Sequence, residues 1–246
     1  MQTPYIVHFL HFSGKFHQTL PSEDRAFFRK RGPRGFSRFP CGSNCAIMDL
    51  ENKEVYTMDL KKRLEEFRPW NEQEERDREA LLRLLEAGQA PCGREDPAHL
   101  TASAWVVSPE RDRVLLAYHN IFGSWSWLGG HADGERDLLS AALREVREES
   151  GLEAVRPVSR DIYSVEILTV DGHEKRGRYV SSHLHLNVTF LLEADPAAPV
   201  RCKPDENSRV GWFGLEEAVA ASTEPWFQKR IYSKLNGKLA GFPPRR

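Results

Sequence analysis

Gly129-Gly130-His131-Ala132-Asp133-Gly134-Glu135-Arg136-Asp137-Leu138-Leu139-Ser140-Ala141-Ala142-Leu143-Arg144-Glu145-Val146-Arg147-Glu148-Glu149-Ser150-Gly151-Leu152 is the stretch on which the fold of this chain turns. A glycine-rich turn runs into a segment whose apolar residues, Leu138, Leu139, Ala142, Leu143 and Val146, recur at helical spacing. Residues 136–150 are therefore predicted to form an amphipathic helix, with Gly151 closing it in left-handed backbone. Glu145, Glu148 and Glu149 stand at i, i+3 and i+4, within about a 100° arc of that helix. Three carboxylates on one face repel one another unless a cation sits among them. The segment is thus a candidate site for a hard divalent cation and, through it, for phosphate chemistry. The plainer alternative for the glutamates alone is a solvated, charge-rich helix face.

Outward from this stretch the pattern is mixed α and β. Residues 102–107 and 113–118 are strand candidates joined by the turn Ser108-Pro109-Glu110-Arg111-Asp112, and 125–128 is a short strand feeding the glycines. Residues 161–170 read as a strand and 171–178 as a polar loop. Residues 179–192 alternate most clearly: Val180, Leu184, Leu186, Val188, Phe190 and Leu192 share one face, and Tyr179, Ser181, His183, His185, Asn187 and Thr189 the other. A short strand at 210–213 and helices at 215–221 and 226–239 complete the region. Upstream, Leu60, Leu64 and Phe67 form a helical stripe ended by Pro69. Asn71 then reads as an N-cap with Glu72, Glu74 and Glu75 in the first turn, Leu81, Leu82, Leu84 and Leu85 as the apolar face, and Gly88 as the stop.

The chain of 246 residues suffices for one or two domains, and its net charge of −1 offers no global attraction to nucleic acid or membrane. No apolar run approaches the roughly 18 residues that would span a bilayer, and residues 5–12 lack the basic flank of a signal peptide. A cytoplasmic protein is expected, with Cys41, Cys45, Cys92 and Cys202 as reduced thiols rather than a zinc site. Residues 1–47 hold seven basic side chains against Glu23 and Asp24 and show no sustained periodicity. A weakly structured extension is the plain expectation, and a basic nucleic-acid-binding arm the sharper one. A true start at Met48 or Met58 is a third.

The spacing in 130–152 resembles the signature of the Nudix hydrolases: Gly, five residues, Glu, seven residues, Arg-Glu, an aliphatic residue, one residue, Glu-Glu, one residue, Gly, then an aliphatic residue. Gly130 matches the first glycine, Arg144 through Leu152 match the second half at every fixed position, and Trp127-Leu128-Gly129-Gly130-His131 matches the entry. One position departs. The first glutamate should fall at 136, where this chain has Arg136, with Glu135 and Asp137 on either side. The departure leaves Arg144 without its usual support, for which Glu148 and Glu135 are substitutes.

The resemblance implies an α/β fold, a Nudix-type α/β/α sandwich with a mixed β-sheet over residues 98–240. A helical N-terminal lead-in over 58–97 would precede it, behind a basic, poorly ordered extension over 1–57, with a tail over 241–246. It also implies Mg²⁺ or Mn²⁺ held by Glu145, Glu148, Glu149 and the carbonyl of Gly130, with Arg144 in support. The substrate would be a small-molecule diphosphate, a nucleoside diphosphate linked to another moiety of the ADP-ribose or nucleotide-sugar type. Glu145 is the first candidate to accept a proton from the attacking water, and Glu206 in Asp205-Glu206-Asn207 the second. No membrane or nucleic-acid partner is expected, and a homodimer is left open.

His183 and His185 lack a third metal ligand that the sequence can place, so lining a groove or solvent is expected of them. A place near the phosphates is the sharper but less favoured reading of His131, and Trp125 and Trp127 are expected in core packing more than in base stacking. An isopentenyl diphosphate isomerase of similar fold would need a cysteine near the glycine turn, and none stands there. A non-catalytic ligand-sensing or regulatory module of the same fold is the alternative function, although the three glutamates are intact.

Overall fold

The computed structural model describes residues 59–87, 93–94, 96–175 and 177–244. The basic extension, Gly88, Cys41, Cys45 and Cys92 lie outside them. The chain enters through two helices, α1 over 59–66 and α2 at Glu72–Glu86. Asn71 caps α2 as expected, its Oδ1 accepting the Glu74 N–H at 3.0 Å, while the Trp70 N–H donates to Glu74 Oε2 at 2.7 Å. Ten strands and three more helices follow. The strands are β1 Ala98–Val107, β2 Arg113–His119, β3 Ser124–Ser126, β4 Leu128–His131, β5 Arg156–Pro157, β6 Ser164–Val170, β7 His173–Lys175, β8 Arg178–Val180, β9 His183–Glu193 and β10 Asn207–Gly214. Helix α3, Leu138–Ser150, lies between β4 and β5; α4, Leu215–Ala221, and α5, Ser233–Lys238, come last.

The main sheet runs in the order β10-β2-β1-β9-β5, with β3 paired to β2, β4 to β1 and β6 to β9. It is mixed: β1 and β9 are parallel from Ala98↔Leu184 to Val107↔Glu193, whereas β4 and β6 pair antiparallel to β1 and β9. The period-2 geometry of β1 divides the core. Leu100, Ala102, Ala104 and Val106 join one apolar layer with α1, α2 and α3; Trp105 and Val107 join a second with α4 and α5. An α/β/α sandwich results. Leu60, Leu64, Phe67, Leu81 and Leu85 share the first layer, so the lead-in helices bury their stripes against the same core as α3. No described helix is long and apolar enough to cross a membrane.

The structure departs from the sequence expectations in particular places. The expected 125–128 strand divides into β3 and β4, which pair with different neighbours. The expected polar loop at 171–178 carries the hairpin β7–β8, a ribbon apart from the main sheet and therefore polar on both faces. The alternation through 179–192 is interrupted after Val180, and its apolar face enters the core only from Leu186, Leu184 being 36% exposed. The opposite face of β9 is also covered, burying Asn187 and Thr189. In the last helical stretch a π-turn at Phe227–Tyr232 precedes α5. It aims Tyr232 at β3 and β4, where its hydroxyl lies 3.3 Å from Ser126 Oγ and accepts the Trp127 N–H at 3.3 Å.

Candidate active site

Strand β4 packs against β1 and helix α3 at two glycines that leave no room for a side chain. Gly129 pairs with Ser103, and a Cβ there would stand 2.5 Å from Ser103 Oγ and 2.7 Å from the Ala102 carbonyl. A Cβ on Gly130 would stand 2.6 Å from Glu145 Oε2. The strand backbone thus touches the helix carboxylates directly.

The helix is held at both ends. Asp137, not Arg136, is its N-cap, accepting the Leu139 N–H at 3.1 Å and the Ser140 hydroxyl at 3.0 Å. The predicted start at 136 is therefore two residues early: Glu135 accepts the Arg136 and Asp137 N–H groups from outside the first turn. Gly151 closes the helix at φ 70°.

With Leu138, Leu139, Ala142 and Val146 buried, Glu145 and Glu149 fall on the border between core and cleft, 8% and 3% exposed. Glu148 is the outer carboxylate, its side chain 44% exposed. Arg144 Nη2 donates to the His131 carbonyl at 2.9 Å and to Glu145 Oε1 at 2.8 Å, and its Nε lies 3.8 Å from Glu148 Oε1. The strand carbonyl and the neighbouring glutamate therefore orient Arg144, while Glu135 is spent on backbone N–H groups. Lys203 reaches Glu148 at 2.9 Å and Glu206 at 3.0 Å. Asn207 fastens this turn to α3 by donating to the Glu149 carbonyl at 3.0 Å.

The three glutamates are not electrostatically equal. Glu149 accepts the Gly129 N–H at 2.9 Å, but no Lys or Arg pairs with it among the described residues. Burial pushes its pKa up to about 8, with Glu145 and Glu206 adding to the rise. Burial also raises the Glu145 pKa against the opposing pull of Arg144. Burial opposes the charge on Lys203, yet its bonds to Glu148 and Glu206 raise its pKa well above the ordinary lysine range.

One cleft of about 450 Å³ is lined by Gly130, Arg144, Glu145, Glu148, Glu149 and Glu206 together. Arg94, His119, Lys175 and His185 also line it, none of which sequence spacing had tied to the glutamates. Trp125 packs edge-on against Phe213 and Tyr118. Trp127 packs against Phe227 and Tyr232 and also lines the cleft.

The NUDIX domain family model matches residues 97–235, more than half of the chain. The chain belongs to the NUDIX domain family. It is similar to the asymmetrical bis(5'-nucleosyl)-tetraphosphatase of Mus musculus, at 29% identity over 107 residues. That alignment covers 43% of this chain and 65% of the mouse protein. Among solved structures, a C. elegans Ap4A hydrolase binary complex is 20% identical over 58% of this chain and 98% of its own, with a TM-score of 0.40. The NUDIX hydrolase RenU of M. smegmatis is 18% identical over 60% of this chain and 89% of its own, with a TM-score of 0.43.

Proposed function

We propose that the chain is a Mg²⁺- or Mn²⁺-dependent pyrophosphohydrolase that cleaves the diphosphate linkage of a nucleoside diphosphate joined to another moiety. ADP-ribose and nucleotide sugars are the first substrates to try. The mouse relative's name adds dinucleoside polyphosphates to the same class. One observation carries this: Glu149 is a buried carboxylate with no Lys or Arg partner among the described residues, in the same cleft as Glu145 and Glu148. Burying a carboxylate without a counter-charge is costly, and a bound divalent ion removes the cost. Glu145, Glu148, Glu149 and the Gly130 carbonyl are all oxygen donors, which fit Mg²⁺ or Mn²⁺ and not a thiophilic metal. When bound, the ion supplies charge neutralisation on the diphosphate and acidifies a coordinated water.

The chain's own groups do the rest. Arg144 holds the Glu145 carboxylate and the His131 carbonyl in fixed relation. Lys203 holds Glu148 against Glu206 and brings positive charge to the cleft. Lys175, which also lines the cleft, offers charge to phosphate oxygens, and Arg94 adds charge beside its partner Asp133. Glu145 or Glu206 accepts the proton of the attacking water.

The test is phosphate-ester product formation from this panel of diphosphates with Mg²⁺ or Mn²⁺, run beside Glu149→Gln. The variant is expected to lose about two orders of magnitude in rate, equivalent to about 3 kcal/mol of transition-state stabilisation. Full activity in the variant would sink the ligand assignment. No turnover by the intact protein would favour a ligand-sensing module. Glu145→Gln and Glu206→Gln, compared by their pH–rate profiles, separate the two candidate bases: the acidic limb vanishes with the true one.

A further inference from the structure

We infer that His99, His183 and His185 form a second cation site, selective for a borderline transition metal of the Zn²⁺ type and distinct from the carboxylate site. The parallel register of β1 and β9 sets His99 directly beside His185. His183 lies two residues earlier on the same face of β9, and β4 brings His131 alongside. The rings cluster tightly, with centroids 4.9 Å apart for His99 and His183, 5.1 Å for His99 and His185, and 5.0 Å for His183 and His185.

The nitrogens decide what the cluster can do. His99 Nδ1 lies 3.1 Å from the Asp96 carbonyl and His183 Nδ1 lies 2.8 Å from the Ser181 carbonyl. A carbonyl only accepts, so in both rings Nδ1 carries the proton and Nε2 presents its lone pair. A backbone carbonyl on the far ring nitrogen is the usual outer support of a metal-bound imidazole. His99 is 3% exposed, and its Nε2 is buried without a hydrogen-bond partner. Such an orphaned acceptor is costly unless something binds it.

One candidate ligand nitrogen from each of the three histidines lies within 4.8 Å of the others, and His183 Nε2 is 3.2 Å from His185 Nε2. Nitrogens at tetrahedral corners about 2.0–2.1 Å from Zn²⁺ are separated by about 3.3 Å, so this last pair already has the required spacing. Three neutral imidazoles without a carboxylate suit Zn²⁺, Cu²⁺ or Ni²⁺ and reject Mg²⁺. Three ligands would leave a fourth tetrahedral position for water or a ligand oxygen, and His185 also lines the cleft. The site would add fixed positive charge to a cleft that receives anions.

Full-length protein is stripped with a chelator and passed through Zn²⁺ in excess Mg²⁺, which competes for the carboxylates, and the retained metal is counted. One equivalent of Zn²⁺ per chain is expected. Co²⁺ in its place is expected to give the visible bands of a low-coordinate nitrogen site, without the thiolate charge-transfer band that cysteine ligation produces. His99→Gln and His183→Gln should each weaken Zn²⁺ at least tenfold, whereas Glu149→Gln should retain it. His183 is only half-buried, so its variant reports even if the His99 variant misfolds. The inference is overturned by no stoichiometric Zn²⁺, by unchanged affinity in His183→Gln, by loss of Zn²⁺ in Glu149→Gln, or by a thiolate band.

Discussion

Glu74 and Glu149 are both withdrawn from water, the first fully and the second to 3% exposure, and the protein treats them in opposite ways. Glu74, in the first turn of α2, pairs with lysines of α5. Its Oε1 is 2.7 Å from Lys238 Nζ and 3.4 Å from Lys234 Nζ, and it also accepts the Ser164 hydroxyl at 2.5 Å. Lys234 continues to Glu166 at 2.8 Å, whose other oxygen accepts from Asn187 at 2.9 Å and Thr189 at 3.0 Å. Burial acts to raise the Glu74 pKa, but Lys234 and Lys238 outweigh it and hold the group below the usual carboxylate range. Glu149 has one backbone N–H and a pKa pushed up to about 8. A buried carboxylate supplied with internal cations is architecture. One left short of them is the carboxylate for which the proposed function supplies an external cation.

The comparison can be broken most directly at Glu74. Glu74→Gln leaves Lys238 in the core without its carboxylate, while Lys234 keeps Glu166, and should cost about 3–5 kcal/mol of stability, read by urea unfolding, with turnover per folded molecule unchanged. Glu74→Met combined with Lys238→Met should recover most of that loss, because it removes both charges at once. A small effect of the single change would mean that water reaches the network.

At the other carboxylate the expected loss is of rate. Gly130→Ala places a methyl 2.6 Å from the Glu145 carboxyl and should lower kcat/KM about a hundredfold, the scale of a misplacement of about 1 Å, while the melting temperature moves little. Wild-type turnover in this variant would show that β4 can yield.

The two groups also predict opposite pH signs in chelator-treated protein. The pKa of Glu74 is depressed, so its contribution is present above the unfolded value of about 4.3 and is lost as pH falls through the lower folded value. The pKa of Glu149 is raised, so the folded state binds the extra proton between about 4.3 and about 8, and stability declines as pH rises across that window. The difference in unfolding free energy between wild type and Glu149→Gln should therefore fall as pH rises from 5 to 8, and added Mg²⁺ should reduce that fall.

The smallest change is expected at Lys203, whose side chain is 27% exposed. Lys203→Met should cost no more than about 1 kcal/mol of stability and raise KM severalfold with kcat less affected. An effect on kcat alone would place Lys203 in the chemical step.

Much of this was legible beforehand where a local period or spacing carries the information. The stripe of α3, its glycine entry and its left-handed end are short-range features, and so is the Asn71 cap. The alternation from Leu186 to Leu192 marked a core strand. The polar ribbon β7–β8 was not legible, because a two-stranded hairpin with no buried face has no apolar alternation. Nor was the role of Glu74, which reads as a first-turn acid favoured by the helix dipole; its lysines stand more than 150 residues away.

The sequence by itself determined the family signature, the helix that bears Glu145, Glu148 and Glu149, and the glycine turn that leads into it, because each depends on spacing along one stretch of chain. Only the tertiary structure decided which carboxylates are compensated. It set Glu74 among lysines and left Glu149 with a single N–H. It brought Lys203 to Glu148, and it added His99 to His183 and His185 as the third imidazole that their own strand lacks. Charge compensation and ligand sets depend on which elements lie side by side, and that proximity is fixed by sheet order and helix packing.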